Sequence, residues 1–72
     1  MKKTKKIKIN LNGKSLSLPI GTTVYKVIKK IKAQPNKVAI ELNREIIKKK
    51  NISKIHLKNK YKLEIVHFIG GG

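Results

Sequence analysis

Lys6-Ile7-Lys8-Ile9-Asn10-Leu11-Asn12-Gly13-Lys14-Ser15-Leu16-Ser17-Leu18 is the stretch from which the fold can be reasoned. Ile7, Ile9 and Leu11 alternate with Lys6, Lys8 and Asn10, a period of two that gives a half-buried strand one apolar face. Asn12-Gly13 then supplies two residues that tolerate positive φ, as the two-residue turn of a tight hairpin requires. Leu16 and Leu18 resume the alternation on the returning strand, and Pro19, Ile20 and Gly21 close it. The chain opens with a hairpin that has one face to bury.

Beyond Gly21 the apolar period changes. Val24, Val27, Ile28 and Ile31 stand at i, i+3, i+4 and i+7, one stripe of an amphipathic helix. Thr23, or Thr22, is placed to cap its free amides. Lys29, Lys30 and Lys32 suit the negative end of the helix dipole. Gln34-Pro35-Asn36 sets the limit, since proline cannot continue the hydrogen-bond ladder. The spacing predicts about three turns, too few to persist without packing against a sheet.

The remaining segments supply that sheet. Val38-Ala39-Ile40-Glu41-Leu42 is a largely apolar run that predicts a central strand. Asn43-Arg44-Glu45 reads as a turn, and Ile46-Ile47 as a short strand. From Lys48 to Asn59 the pattern is irregular, with Ile52, Ile55 and Leu57 as anchors beneath a loop and Asn59-Lys60 as a further turn. Lys62 to Ile69 predicts the last strand, with Leu63, Ile65, His67 and Ile69 on one face and Glu64, Val66 and Phe68 on the other. One helix can cover one face of such a mixed sheet and complete the core. With the first and last strands side by side in the middle and a right-handed crossover, this is an α+β, β-grasp arrangement: a mixed four- to five-stranded sheet packed on one main helix. The expected domain is 1–69, with 1–5 as a basic arm and 70–72 as a glycine tail.

Composition narrows the function classes. With 72 residues the core must be thin, and with no cysteine it has neither disulfides nor thiolate metal ligands to reinforce it. Two histidines and three carboxylates make a closed zinc or calcium cage an unpromising expectation, so no metal site is assigned. No apolar stretch approaches the roughly 20 residues that span a bilayer, and the basic start leads into no apolar signal core. The expectation is a cytoplasmic protein, or a stromal one if encoded in a plastid, with no membrane partner. The net charge of +16 invites a nucleic-acid reading. Yet 18 of the 19 basic residues are Lys, and Lys, Ile and Asn, whose codons are AT-rich, make up half the chain. Arg for bidentate base contacts and aromatics for stacking are scarce. Nucleic acid is therefore expected to bind only non-specifically, and a dedicated basic nucleic-acid module is an alternative reading.

The chemistry concentrates at Gly70-Gly71-Gly72. Glycines contribute nothing to a core, and as a frayed end they would be unremarkable. Lacking Cβ atoms, they can also thread a narrow channel and present an α-carboxylate to an enzyme. That group, with a pKa of about 3.3–3.7, is ionised at neutral pH and a poor electrophile. Adenylation would make it a good one, and a sulfur nucleophile displacing AMP would leave a thiocarboxylate. The sequence offers no Cys nucleophile, no Asp and no glycine-rich phosphate loop for this, so the chain reads as substrate and carrier, not as the enzyme.

Two segments, Val38-Ala39-Ile40-Glu41-Leu42-Asn43-Arg44-Glu45-Ile46-Ile47 and Leu63-Glu64-Ile65-Val66-His67-Phe68-Ile69-Gly70-Gly71-Gly72, resemble the ThiS family of sulfur carrier proteins of thiamine biosynthesis. The resemblance runs from Lys6 to the end and includes the Gly21-Thr22-Thr23-Val24 helix entry. It implies a ubiquitin-like fold and a Gly72 that is adenylated by a ThiF-type activating enzyme at the cost of ATP. No cofactor would be bound by the chain itself. A sulfur donor protein would supply the sulfur, and the thiocarboxylate would pass it to a ThiG-type thiazole synthase as the thiazole ring is built. Gly70 and Gly71 would form the thread entering the partner, and Val66, Phe68 and Ile69 would belong to the docking surface. The related carrier of molybdopterin synthase is a second alternative, but its Pro-containing approach to Gly-Gly is missing here. Where many family members have Pro and Trp after the short strand and Gly-Asp before the last, this chain has Lys48, Ile52 and Lys60-Tyr61. His67 is expected to face inward as a packing residue, and His56 has no carboxylate neighbour in sequence.

Overall fold

The computed structural model describes residues 5–68, so the arm before Lys5 and the roles expected of Ile69, Gly70, Gly71 and Gly72 lie outside the described residues. Six main elements follow in order: β1 (Lys6–Leu11), β2 (Lys14–Pro19), α1 (Val24–Lys30), β3 (Val38–Leu42), β4 (Glu45–Ile46) and β5 (Lys62–His67). The strands form one sheet in the order β2-β1-β5-β3-β4. β1 and β5 run parallel at its centre, while the β1–β2, β3–β5 and β3–β4 pairs are antiparallel. This is the mixed sheet with one helix that the pattern implies, with five strands.

The register explains the core. Ile7 opposes Leu18, Ile9 opposes Leu16, Ile40 opposes Ile65 and Leu42 opposes Leu63, so one face of every long strand is apolar. Val24, Val27 and Ile28 of α1 are fully buried in the same cluster as Ile9, Val38, Ile40, Leu63 and Ile65. At roughly 25 cal/mol per Å² of apolar surface removed from water, this single layer is the main favourable contribution.

Both hairpin turns follow from local chemistry. Asn12 (φ 51) and Gly13 (φ 86) take the left-handed conformations expected of them. Asn43 (φ 51) and Arg44 (φ 73) do the same between β3 and β4, an unusual demand on Arg. The short strand is displaced by one residue from the reading at Ile46-Ile47, because this turn ends before Glu45.

The helix is shorter than its apolar stripe suggests. Thr23 is its N-cap, and the Thr23 hydroxyl accepts from the Lys26 N–H at 3.3 Å. Its other end closes well before Pro35. Lys32 adopts φ 61, its N–H donates to the Lys29 carbonyl, and the Ala33 N–H donates to the Ile28 carbonyl, both at 3.0 Å. These are the paired bonds of a Schellman cap, here with Lys where Gly is usual. Ile31 becomes the C-cap and is exposed, a correction to its place in the buried stripe.

The segment from Lys48 to Tyr61 is pinned as its apolar residues suggest, with Ile52 and Leu57 buried and Ile55 packed beside them. It also does something the pattern does not show. The Ile55 carbonyl accepts from Val24 N–H and the Ile52 carbonyl from Tyr25 N–H, each at 3.0 Å, while Leu57 N–H donates to the Thr22 carbonyl at 2.8 Å. The loop thus satisfies the first amides of α1, which a helix cannot satisfy internally.

Candidate functional site

β5 carries the chain toward its last glycines, and its neighbours determine how firmly that path is held. On one flank β1 ends at Leu11, because the chain must reverse at Asn12-Gly13. Asn12 continues the ladder beyond the strand. Its N–H donates to the Leu63 carbonyl at 2.9 Å, its Oδ1 accepts from Ile65 N–H at 2.8 Å, and its Nδ2 donates to the Ile65 carbonyl at 3.2 Å. A side-chain amide thereby does what another residue of β1 would do.

On the other flank β3 pairs with β5 from Leu42↔Leu63 to Val38↔His67, and Phe68 N–H donates to the Lys37 carbonyl at 3.0 Å. Asn43 adds a further hold at the start of β5, where its N–H donates to the Lys62 carbonyl at 2.7 Å and its Oδ1 accepts from Lys62 N–H at 2.9 Å. Backbone pairing therefore reaches Phe68.

The sheet face away from α1 is open at this end. Val66 is 60% exposed, Phe68 57% and Ile46 77%. Ala39, half-buried, sits opposite Val66, and the Lys49 Nζ lies 5.4 Å from the centre of the Phe68 ring. That ammonium over a π face is an attractive contact of about 0.5–1 kcal/mol at an exposed site. Phe68 thus has a neighbour and is still exposed.

Glu41 and Glu64 stand directly opposite each other in the same region, and Ile46 opposes Glu41 on its other side. A row Ile46–Glu41–Glu64 therefore crosses β4, β3 and β5, next to the row Ala39–Val66.

His67 corrects the sequence reading. It shares the parity of Leu63 and Ile65 but is exposed, because the helix layer does not extend over this end of β5. His56 is exposed too, and its backbone bridges to Thr23. Among the described residues no group of three His, Cys, Asp or Glu side chains could hold a metal ion, and no helix is long and apolar enough to cross a membrane. The amides at the start of α1 point at loop carbonyls, not outward at a phosphate.

Of the site residues expected from sequence, Val66 and Phe68 come together on the open face, whereas Ile69 to Gly72 fall outside the described residues. Three participants escape a reading of the chain alone. Asn12 reads only as a turn residue, Lys49 as one of many lysines, and the meeting of Glu41 with Glu64 depends on register between strands 23 positions apart.

Comparison with known proteins places this geometry among relatives. The model of the ThiS family matches residues 4–72. A sulfur carrier protein ThiS from Bacillus subtilis is 34% identical over 65 residues, covering 89% of this chain and 98% of that protein. A thiazole synthase from Magnetococcus marinus is 35% identical over 66 residues, covering 92% of this chain, and the chain spans only 20% of that relative's length. A thiazole synthase from Paramagnetospirillum magneticum matches to the same extent. Among solved structures, the crystal structure of the thiamine biosynthesis protein ThiS from Geobacter metallireducens superposes with a TM-score of 0.78 at 26% identity, covering 92% of this chain and all of that one.

Proposed function

The chain belongs to the ThiS family, and from that membership we propose that it is a sulfur carrier of thiamine biosynthesis with Gly72 as the carrying residue. The observation that supports this most is the match over nearly the whole length of the Bacillus sulfur carrier. The resemblance of the ending Glu64-Ile65-Val66-His67-Phe68-Ile69-Gly70-Gly71-Gly72 to the family's tail supports it further.

In this reading the Gly72 carboxylate attacks the α-phosphate of ATP in an activating enzyme, and pyrophosphate leaves. The ionised carboxylate is resonance-stabilised and resists nucleophiles, whereas the acyl adenylate has AMP as a good leaving group. A sulfur nucleophile adds to the carbonyl carbon and expels AMP. Where that nucleophile is a persulfide on the donor protein, a thiol attacks the resulting acyl disulfide, takes the donor sulfur into a new disulfide and frees the thiocarboxylate, which delivers sulfur to a thiazole synthase. The ATP and the catalytic groups belong to the partners, and this chain contributes a carboxylate and a surface by which it is recognised.

What the fold contributes is a fixed starting point for the tail. Four residues follow Phe68, ending at Gly72, a fully extended reach of about 13 Å. Glycines at 70, 71 and 72 remove the side chains that would block a narrow channel. The two thiazole synthases with a segment resembling this chain favour a thiazole synthase as the consumer of the sulfur.

Incubation with ATP, a ThiF-type activating enzyme and a sulfur donor should replace one oxygen of the Gly72 carboxylate by sulfur, read by intact-mass spectrometry. Extension of the chain beyond Gly72 should abolish that change and leave the unfolding midpoint where it was. A chain left unmodified under conditions that sulfurate the Bacillus carrier would overturn the reading.

A further inference from the structure

The chain has only three acidic residues, Glu41, Glu45 and Glu64, and all three lie on neighbouring strands at one end of the sheet. Glu41 and Glu64 are direct cross-strand partners on the open face. Residues so placed have Cβ atoms about 4.5–5.5 Å apart, and like charges there oppose folding. Neither carboxylate accepts a side-chain hydrogen bond among the described residues. A chain with 18 lysines has no shortage of cations to set opposite a glutamate, yet this register sets the two carboxylates opposite each other.

The surroundings suggest what does. Ile46 flanks the pair on one side, Val66 lies in the next row, and Phe68 follows at the edge leading to the glycines. We propose that this face docks a protein partner that inserts a basic side chain, best an arginine, between the Glu41 and Glu64 carboxylates while Ile46, Val66 and Phe68 enter apolar hollows around it. A guanidinium can hydrogen-bond both carboxylates at once. The apolar rim excludes water from the contact, which strengthens the charged interaction and sharpens its specificity. The repulsion carried by the free protein is relieved only in the complex.

The partner so specified is the reverse of what net charge suggests. A protein at +16 would ordinarily be steered toward an acidic surface, whereas this face selects a basic centre within an apolar surround. The inference rests on the carrier reading for the partner's identity, because a surface continuous with Phe68 is the one that delivers the tail into an active site.

The test compares the unsubstituted protein with Glu41→Gln/Glu64→Gln and with Glu64→Lys, using the activating enzyme and the thiazole synthase of the same organism. Binding is measured by calorimetry, sulfuration by mass spectrometry, and stability by urea denaturation. Both variants remove the like-charge pair but also raise the net charge from +16 by two, so their unfolding midpoints should stay close to that of the unsubstituted protein. Both should weaken binding to at least one enzyme about tenfold or more. Lys8→Gln, on the part of the open face nearer β2, should leave binding unchanged. Undiminished binding of the variants to both enzymes, or a loss of stability in them, overturns the inference while sulfuration of the unsubstituted chain keeps the carrier reading. If the unsubstituted chain binds neither enzyme and is never sulfurated, both fall.

Discussion

The two faces of the sheet are made from the same strands, one residue out of phase, and they obey different rules. On the face under α1, Val38, Ile40, Leu63 and Ile65 are buried and meet Val24, Val27 and Ile28. The buried positions there are aliphatic, because in a 72-residue protein this layer makes up much of the core. On the open face of the same strands the sequence runs Ala39, Glu41, Glu64, Val66, with an exposed Phe68 just beyond. That face includes a like-charge pair and exposed apolar groups, of which only Phe68 has an attractive contact, with Lys49. Toward β1 and β2 the open face returns to Lys6, Lys8, Ser15 and Ser17, an ordinary solvated surface. The lesson is that stability fixed one face and left the other free to answer to something outside the molecule.

The largest blow to the comparison comes from the covered face. Leu63→Ala removes a fully buried side chain at the centre of the sheet and should cost about 3 kcal/mol in urea denaturation. A loss under 1 kcal/mol would mean that the layer is far less close-packed than its burial implies. The junction of the two faces gives an intermediate effect. Asn12→Ala deletes both amide contacts to Ile65 and leaves a non-glycine residue at φ 51, which should cost about 1–2 kcal/mol. Asn12→Gly relaxes the backbone but restores no hydrogen bond, so comparing the two separates strain from the clamp. Amide exchange at Ile65 should accelerate in both.

The smallest effect belongs to the open face. Val66→Ser should shift stability by less than about 0.5 kcal/mol, as for most surface substitutions, while weakening partner binding. If Val66→Ser instead destabilised the fold as much as Leu63→Ala, the distinction between the faces would collapse.

Much of the fold was legible in particular residues. The alternation of Ile7, Ile9 and Leu11, the Asn12-Gly13 turn and the Thr23 cap each act over a few residues, where backbone sterics and local hydrogen bonding dominate. The readings that shifted were those where distance intervenes. Ile31 follows the helical period but becomes the C-cap of a helix that closes at Lys32, and His67 follows the strand period but lies on β5 past the end of β1, with one flank uncovered. Periodicity states which side a residue faces, not whether anything is there to meet it.

Strand and helix order, the hairpin, the apolar layer and the run of glycines could all be read along the chain, because each is written in spacing and in the backbone freedom of single residues. That Asn12 holds Ile65, that Lys49 lies over Phe68 and that Glu41 faces Glu64 became visible only once the strands were aligned. Those contacts join residues 19 to 53 positions apart. They exist because a shared hydrophobic layer aligns the strands, and the side chains on the other face must accept whatever neighbours that alignment gives them.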